Sequence, residues 1–263
     1  MAFLEVDSVA LSYGGDGGDG GTLALQDCSL AVERGDFVAL VGPSGCGKSS
    51  LLKVVSGLYP VSAGSARLDG KPITGPQHGV GMAFQNATLL PWRNTLDNVL
   101  LPLEVSDAHR RTFRARKAQH VAAARELLSI VGLSEFERHA PYQLSGGMQQ
   151  RASLCRSLIH DPDLLLLDEP FAALDAFTRE ELWAVLQDLH ARKRFTVVLV
   201  THDLREAVYL ADTVYVVSKR PGRIVSRRDI ALARPRTLDD TFAPDFVDIV
   251  HHLRDQISEV RAA

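Results

Sequence analysis

The chain is poor in cysteine, has no long apolar run and carries little net charge, and each shortage excludes a class of protein. Its three cysteines, Cys28, Cys46 and Cys155, are scattered, odd in number and free of C-x-x-C spacing, so they suggest neither a disulfide framework nor a zinc site. No stretch reaches the roughly eighteen apolar residues of a membrane-spanning helix. Residues 1–10 lack the basic-then-apolar order of a secretory signal, so the expectation is a globular protein that stays in the cytosol. A net charge of −3 over 263 residues opposes a function that depends on neutralising many nucleic-acid phosphates, so no nucleic-acid partner is expected.

What is present is a hydrophobic fraction of 46%, enough for a substantial core in one large domain or two intimate subdomains. The chain is organised around Gly42-Pro43-Ser44-Gly45-Cys46-Gly47-Lys48-Ser49, followed by Ser50. An apolar strand over residues 37–41 precedes it, and Leu51, Leu52, Val55 and Leu58 follow with helical spacing over residues 48–58. This is the strand–turn–helix context of a P-loop. Its glycines let successive backbone N–H groups converge on phosphates, Lys48 can reach the terminal ones, and the Ser49 hydroxyl is suited to Mg²⁺. The helix aims its positive dipole end at the nucleotide. Cys46 reads as a small neutral filler that an alkylating reagent can still attack.

Taken in order, residues 3–12 and 23–32 read as strands. Between them, the glycines of residues 14–21, broken by Asp16 and Asp19, form one short copy of a calcium-repeat-like pattern. Lacking the stacked neighbours such repeats need, it reads as a flexible hairpin loop. A second short hairpin is expected around residues 63–70 and a strand over 80–84. Residues 87–102 read as irregular and apolar, and residues 107–132 as one helix with Asp107 as N-cap and Gly132 as C-cap. The arginine-rich stretch 109–117 reads as a solvated helix face rather than a nucleic-acid patch.

A further helix is expected from Gly146 to Ile159, then a buried strand over 164–167 and an amphipathic helix over 178–192. In that helix Leu182, Val185, Leu186 and Leu189 share a face. A buried strand over 196–200, a helix capped by Asp203, a hairpin around Pro221-Gly222 and a terminal helix from about Phe246 complete the pattern. Alternating strands and helices imply a mostly parallel α/β sheet. The early hairpins add an antiparallel layer, and the strand-free region between Gln85 and Ile159 reads as a helical insertion.

A P-loop alone names only a superfamily. The discriminating stretch is Leu144-Ser145-Gly146-Gly147-Met148-Gln149-Gln150-Arg151, where a Ser-Gly-Gly turn opens a helix as a second phosphate-binding device. With Gln85, Asp168-Glu169 and His202 in this order, the sequence closely resembles the ATP-binding cassette family over essentially its whole length. The resemblance implies an α/β P-loop NTPase (RecA-like) core with an antiparallel β subdomain and an inserted α-helical subdomain. The expected division puts the core at about residues 1–86 and 160–235, the helical subdomain at 87–159 and a short helical tail at 236–263.

The same resemblance assigns roles to residues. Tyr13 matches the aromatic residue that stacks on adenine, Gly42 to Ser50 match Walker A, and Gln85 matches the Q-loop glutamine near Mg²⁺ and the attacking water. Asp168 corresponds to the Walker B aspartate that holds Mg²⁺, Glu169 to the catalytic carboxylate, Ala172 to Asp175 to the D-loop, and His202 to the switch histidine at the γ-phosphate. Met148 stands where many members have Gln, which leaves Ser145 and Gly147 untouched. In the family, the signature turn of one copy completes the P-loop of another, so ATP is clamped in a head-to-tail dimer. The apolar Leu89, Leu90 and Trp92 fall where a transmembrane permease docks.

The run Gln85 to Trp92, with Arg220 to Ile224 and Leu232 to Arg236, is most similar to the branch importing nitrate, sulfonates and taurine, as is the short tail. The resemblance therefore implies an ATPase using ATP and Mg²⁺, peripheral to the cytoplasmic membrane face, that serves a permease and, indirectly, a periplasmic solute-binding protein. A soluble assembly or scaffolding ATPase, or a system for lipid or export, is the alternative.

Overall fold

The computed structural model of the protein describes residues 2–14 and 21–262 and contains the expected alternation of apolar strands with helices. Its elements are β1 (Leu4–Tyr13), β2 (Thr22–Val32), β3 (Phe37–Val41), α1 (Lys48–Val55), β4 (Ala63–Leu68), β5 (Lys71–Pro72), β6 (Val80–Ala83), α2 (Thr95–Val105), α3 (Asp107–Phe113), α4 (Lys117–Ile130) and α5 (Gly146–Leu158). They continue as β7 (Leu164–Asp168), α6 (Ala176–Lys193), β8 (Thr196–Val200), α7 (Leu204–Leu210), β9 (Thr213–Val217), β10 (Ile224–Asp229) and α8 (Pro244–Ala262). The loop expected within residues 14–21 lies, for residues 15–20, outside the described residues. Among the described residues, no helix is long and apolar enough to cross a membrane.

The chain divides into two compact units. The first comprises Met1–Gln77 and His190–Ala263. In it β1 pairs antiparallel with β2 and β4, and β4 with β5, giving the antiparallel layer. A second set places β3 between β8 and β9, parallel to both, with β10 antiparallel against β9. Every residue of β3, β8 and β9 is buried, as expected of apolar strands covered on both faces, whereas β10 alternates between half-buried and exposed positions.

The end of α7 is held by a residue far along the chain. Arg236, itself buried, donates from Nη1 to the carbonyls of Val208 (2.6 Å), Tyr209 (3.1 Å) and Ala211 (2.7 Å). Two of these carbonyls belong to the last turn, which has no intrahelical donors. Burial lowers the Arg236 pKa to about 10, so the guanidinium stays charged at neutral pH. Arg234 pairs with Asp212 at 2.7 Å. The Arg234-Pro235-Arg236 run, read from sequence as a mark of a family branch, is thus also a structural clamp.

The second unit, His78–Leu189, contains the parallel pair β6–β7 and helices α2 to α5, with most of α6. Two expectations are corrected here. The supposedly irregular residues 87–102 contain the start of α2, whose N-cap Asn94 accepts from the Asp97 N–H at 2.7 Å. Pro102 lies inside that helix, where it removes one intrahelical donor without ending the helix. Fully buried Asn98 accepts from the Leu90 N–H (2.7 Å) and donates to the Asn94 carbonyl (2.9 Å), so the preceding loop is clipped to the helix.

The single helix expected over 107–132 is two helices, and the N-cap is Ser106, not Asp107. The break falls at Arg114–Arg116, where Arg114 stands four and three residues after Arg110 and Arg111 and so adds like-charge pairs that disfavour continuing the helix. The expected cap at Gly132 is present: with φ +71° its N–H bonds Ser129 O, and the Leu133 N–H bonds Leu128 O, the paired bonds of a Schellman motif. Helix α1 ends at Val55, three residues early, because Gly57 takes φ +76°. In α6, Leu182, Leu186 and Leu189 are buried as expected, Val185 is half-buried, and Trp183 and Gln187 join the buried set.

Candidate functional site

In the first unit, strand β3 delivers the chain into the glycine-rich turn. Gly45 (φ +72°) and Gly47 (φ +109°) occupy the left-handed region that lets the backbone curl without a side-chain clash. A Cβ at Gly47 would stand 2.7 Å from the Ala24 carbonyl oxygen, so the turn is pressed against β2. Lys48 is 5% exposed, and its Nζ donates to the carbonyls of Gly42 (2.9 Å) and Pro43 (2.8 Å). The ammonium therefore closes the turn on itself, with its charge held over the loop where a phosphate would sit.

Ser49 and Ser50 occupy the first turn of α1. The Tyr13 hydroxyl donates to Ser50 Oγ at 2.8 Å, and its ring packs edge-on against Tyr59 with centroids 5.4 Å apart. The aromatic residue expected at adenine is thereby tethered to the phosphate-binding helix. His202 follows β8 and is exposed. Its neighbour Asp203 caps α7 by accepting from the N–H groups of Arg205 (2.9 Å) and Glu206 (3.3 Å), which fixes the backbone bearing the histidine. Gly42, Ser44 and His202 line one cavity of about 250 Å³.

One feature of the turn is not legible from the P-loop motif. Gly222, in the β9–β10 hairpin, lies so close to Cys46 that a Cβ there would be 2.2 Å from its carbonyl oxygen. The Gly222 N–H donates to Ala24 O (2.9 Å), its carbonyl accepts from the Gln26 N–H (3.0 Å), and the Cys28 thiol donates to the same oxygen (3.0 Å). Burial pushes the Cys28 thiol up to about 11, so it remains a neutral donor. Cys46 is 1% exposed beneath this brace, which corrects the expectation of easy alkylation. A Gly222→Ala change is expected to push the brace off the P-loop, cost about 1–3 kcal/mol as overpacking does, and weaken nucleotide binding. Thermal melting and nucleotide titration of the same variant check both effects.

The second unit holds the acidic and signature residues. Asp168, 6% exposed, ends the fully buried β7. Glu169 follows at φ +48°, a conformation that non-glycine residues adopt at a cost on the order of 1–3 kcal/mol and that clusters at active sites. The Gln85 side chain, beyond the end of β6, donates from Nε2 to Glu169 Oε2 at 3.2 Å. The two residues expected near the attacking water are therefore in direct contact. Ser145 is the N-cap of α5, and its Oγ accepts from the Met148 N–H at 3.2 Å. Gly146 has room for a Cβ, whereas one at Gly147 would meet Leu174 Cδ2 at 2.7 Å.

Two positioning residues were missed. Gln150, 8% exposed on α5, donates from Nε2 to the Gln85 carbonyl (3.1 Å) and accepts at Oε1 from the Ala173 N–H (3.2 Å). It ties the signature helix to both the Gln85 backbone and the loop after Glu169. Arg156, two turns on, donates to the carbonyls of Ala87 (2.8 Å) and Thr88 (2.9 Å) and so holds the segment that leads to Leu89 and Trp92. The only sequence signal was that both lie on the helix opened by the Ser-Gly-Gly turn. Trp92 itself is 76% exposed, while Leu89 and Leu90 are half-buried.

The donors suit a magnesium nucleotide. The Ser49 hydroxyl of the P-loop and the buried Asp168 carboxylate are hard oxygen groups, and Mg²⁺ ordinarily takes one or two such groups plus phosphates rather than an all-protein cage. Among the described residues no group of three or more His, Cys, Asp or Glu gathers to hold a metal.

Residues 25–172 match the model of the family described as ABC transporter. Curated relatives include an uncharacterized ABC transporter ATP-binding protein of Methanocaldococcus jannaschii, 42% identical over 238 residues, covering 89% of this chain and 85% of that one. The taurine import ATP-binding protein TauB of Escherichia coli K12 is 39% identical over 249 residues, covering 93% and 95%. Among solved structures, a dimeric post-hydrolysis ATP-binding cassette bound to ADP and Pi superposes with a TM-score of 0.74 at 28% identity, covering 88% of this chain and all of that one.

Proposed function

The chain belongs to the ABC transporter family of nucleotide-binding ATPases, and on that premise we propose that it energises import of a small, anionic solute of the taurine, sulfonate or nitrate kind. The observation that carries this reading is its similarity to a taurine import subunit over nearly the full length of both chains.

In the proposed mechanism, ATP binds with Tyr13 at the adenine and its phosphates on the backbone N–H groups of Gly45 to Ser50. Lys48 exchanges its two carbonyl partners for phosphate oxygens, which is favourable because an ammonium bonds an anion more strongly than a neutral carbonyl. Mg²⁺ would neutralise charge on the phosphates, and the family resemblance assigns the Ser49 hydroxyl, the Asp168 carboxylate and Gln85 to holding it. Glu169 accepts the proton of the attacking water, Gln85 keeps the carboxylate oriented, and His202 contacts the γ-phosphate. Phosphoryl transfer depends mainly on positioning and charge neutralisation, so a lone P-loop leaves the γ-phosphate partly hydrated. A second copy, head to tail, supplies Ser145, Gly146, Gly147 and Met148 to exclude that water, and a Cβ at Gly147 would stand 2.7 Å from Leu174 Cδ2, which leaves little room for a larger residue there. Hydrolysis then releases the clamp.

The partner receiving this cycle is a membrane permease fed by a periplasmic solute-binding protein, with the chain peripheral on the cytoplasmic face. Exposed Trp92, on a loop braced by Asn98 and Arg156, supports docking there. We read residues 87–159 as the helical subdomain that carries this surface and the signature turn. The test is purification of the tagged protein from detergent-solubilised membranes: a polytopic permease should accompany it, and a soluble partner alone would overturn the importer reading. Trp92→Ala is expected to leave soluble ATPase activity within about twofold while abolishing most coupled transport, and unchanged transport would remove Trp92 from the docking surface.

A further inference from the structure

Helix α8 carries groups that the proposed mechanism does not use. Phe246 and Leu253 are buried and dock it within the first unit, with Ile257 half-buried one turn on. Arg254, Ser258 and Arg261 follow at spacings of four and three, so they form one stripe of the helix. That stripe lines the same cavity of about 250 Å³ as Gly42 and Ser44 of the P-loop and His202 after β8. Among the described residues that line the cavity none is a carboxylate, and Asp255 and Glu259 of α8 are not part of that lining. The Ser258 hydroxyl donates to the Arg254 carbonyl at 2.9 Å, as an ordinary bond within the helix.

The cavity thus combines two guanidinium groups, a hydroxyl and an imidazole with the edge of a phosphate-binding loop. Guanidinium presents paired donors matched to oxyanions, and two guanidinium groups lining one cavity attract a multiply charged anion. A water takes about 30 Å³, so the space accommodates a tetrahedral oxyanion with solvent. We propose that Arg254 and Arg261 of α8 form a phosphate-type oxyanion subsite beside the P-loop, which makes the C-terminal helix part of nucleotide recognition or of product retention. The source is the terminal phosphate of a nucleoside triphosphate or free orthophosphate. The inference rests on the nucleotide-binding reading only for the first source.

The test uses the full chain and its Arg254→Ala/Arg261→Ala variant, titrated with the β,γ-imido analogue of ATP, with ADP and with inorganic phosphate. A rise of about tenfold or more in Kd for the triphosphate analogue, corresponding to one lost charge-assisted hydrogen bond, with ADP affinity within twofold, assigns the subsite to the terminal phosphate. Unchanged nucleotide binding with a tenfold loss of orthophosphate binding assigns it to free phosphate. The Arg254→Lys/Arg261→Lys variant should restore part of the lost affinity. Binding of all three probes unchanged would overturn the proposal. So would equal weakening of ADP and the analogue with phosphate unaffected, since that pattern means an indirect effect on the P-loop. A wild-type chain that binds neither nucleotide would refute the nucleotide reading instead, and the orthophosphate titration would then decide the inference alone.

Discussion

Glu169→Gln is expected to lower ATP turnover by about 10² to 10⁴, the usual contribution of a positioned general base, while leaving ATP binding close to wild type. That loss corresponds to about 3–5 kcal/mol of transition-state stabilisation, with each factor of ten worth 1.36 kcal/mol. The carboxamide keeps the length and an acceptor oxygen for the Gln85 side chain, which now bonds Glu169 Oε2 at 3.2 Å, so the local geometry should persist. What is lost is the capacity to take a proton from water. The backbone at φ +48° is held by the surrounding turn, where the Ala172 N–H bonds Glu169 O at 3.2 Å, and glutamine meets the same conformational cost as glutamate. If the proposed clamp is released by hydrolysis, the variant accumulates as an ATP-loaded dimer, visible by size-exclusion chromatography with ATP and absent with ADP. Wild-type turnover in this variant would take Glu169 out of the catalytic role.

Lys48→Ala should act on binding first. Its ammonium is almost fully buried, and in this structure its partners are the Gly42 and Pro43 carbonyls. Hydrogen bonds to charged groups contribute about 1.5–3 kcal/mol, so losing the lysine–phosphate contact should weaken ATP binding by about 10- to 100-fold. Nucleotide-free stability should fall as well, by about 1–3 kcal/mol, because the two carbonyls lose their charged donor while the cost of burying the ammonium is relieved. Two readouts separate the roles: a fluorescent ATP analogue reports the affinity, and thermal melting without nucleotide reports the loop. An affinity within threefold of wild type would mean that Lys48 serves the turn and not the phosphate.

The parts of the protein that were legible in the sequence are those whose cause is local. An apolar run, glycines where the chain must take positive φ, and a following helical period identify the strand, turn and helix around Lys48 without any knowledge of distant residues. The same holds for β7 ahead of Asp168-Glu169, for the cap at Ser145 and for the Schellman end at Gly132. Where local signals conflicted, the reading failed. Residues 87–102 read as irregular, yet the Asn94 cap and the buried Asn98 hold the start of α2 together there.

Other features depend on pairs separated by tens to hundreds of residues, and no periodicity marks them. Gln150 reaches back to the Gln85 carbonyl and forward to the Ala173 amide, Gly222 braces Cys46, and Arg236 closes α7. Arg254 and Arg261 belong to no motif, and only the fold sets their stripe in one cavity with Ser44 and His202. The sequence by itself determined which residues are the candidates for phosphate chemistry, because backbone conformation and motif spacing are short-range. Tertiary structure alone decided which backbone groups hold them and which extra cations join them, because burial and long-range hydrogen bonds exist only once the chain has closed on itself.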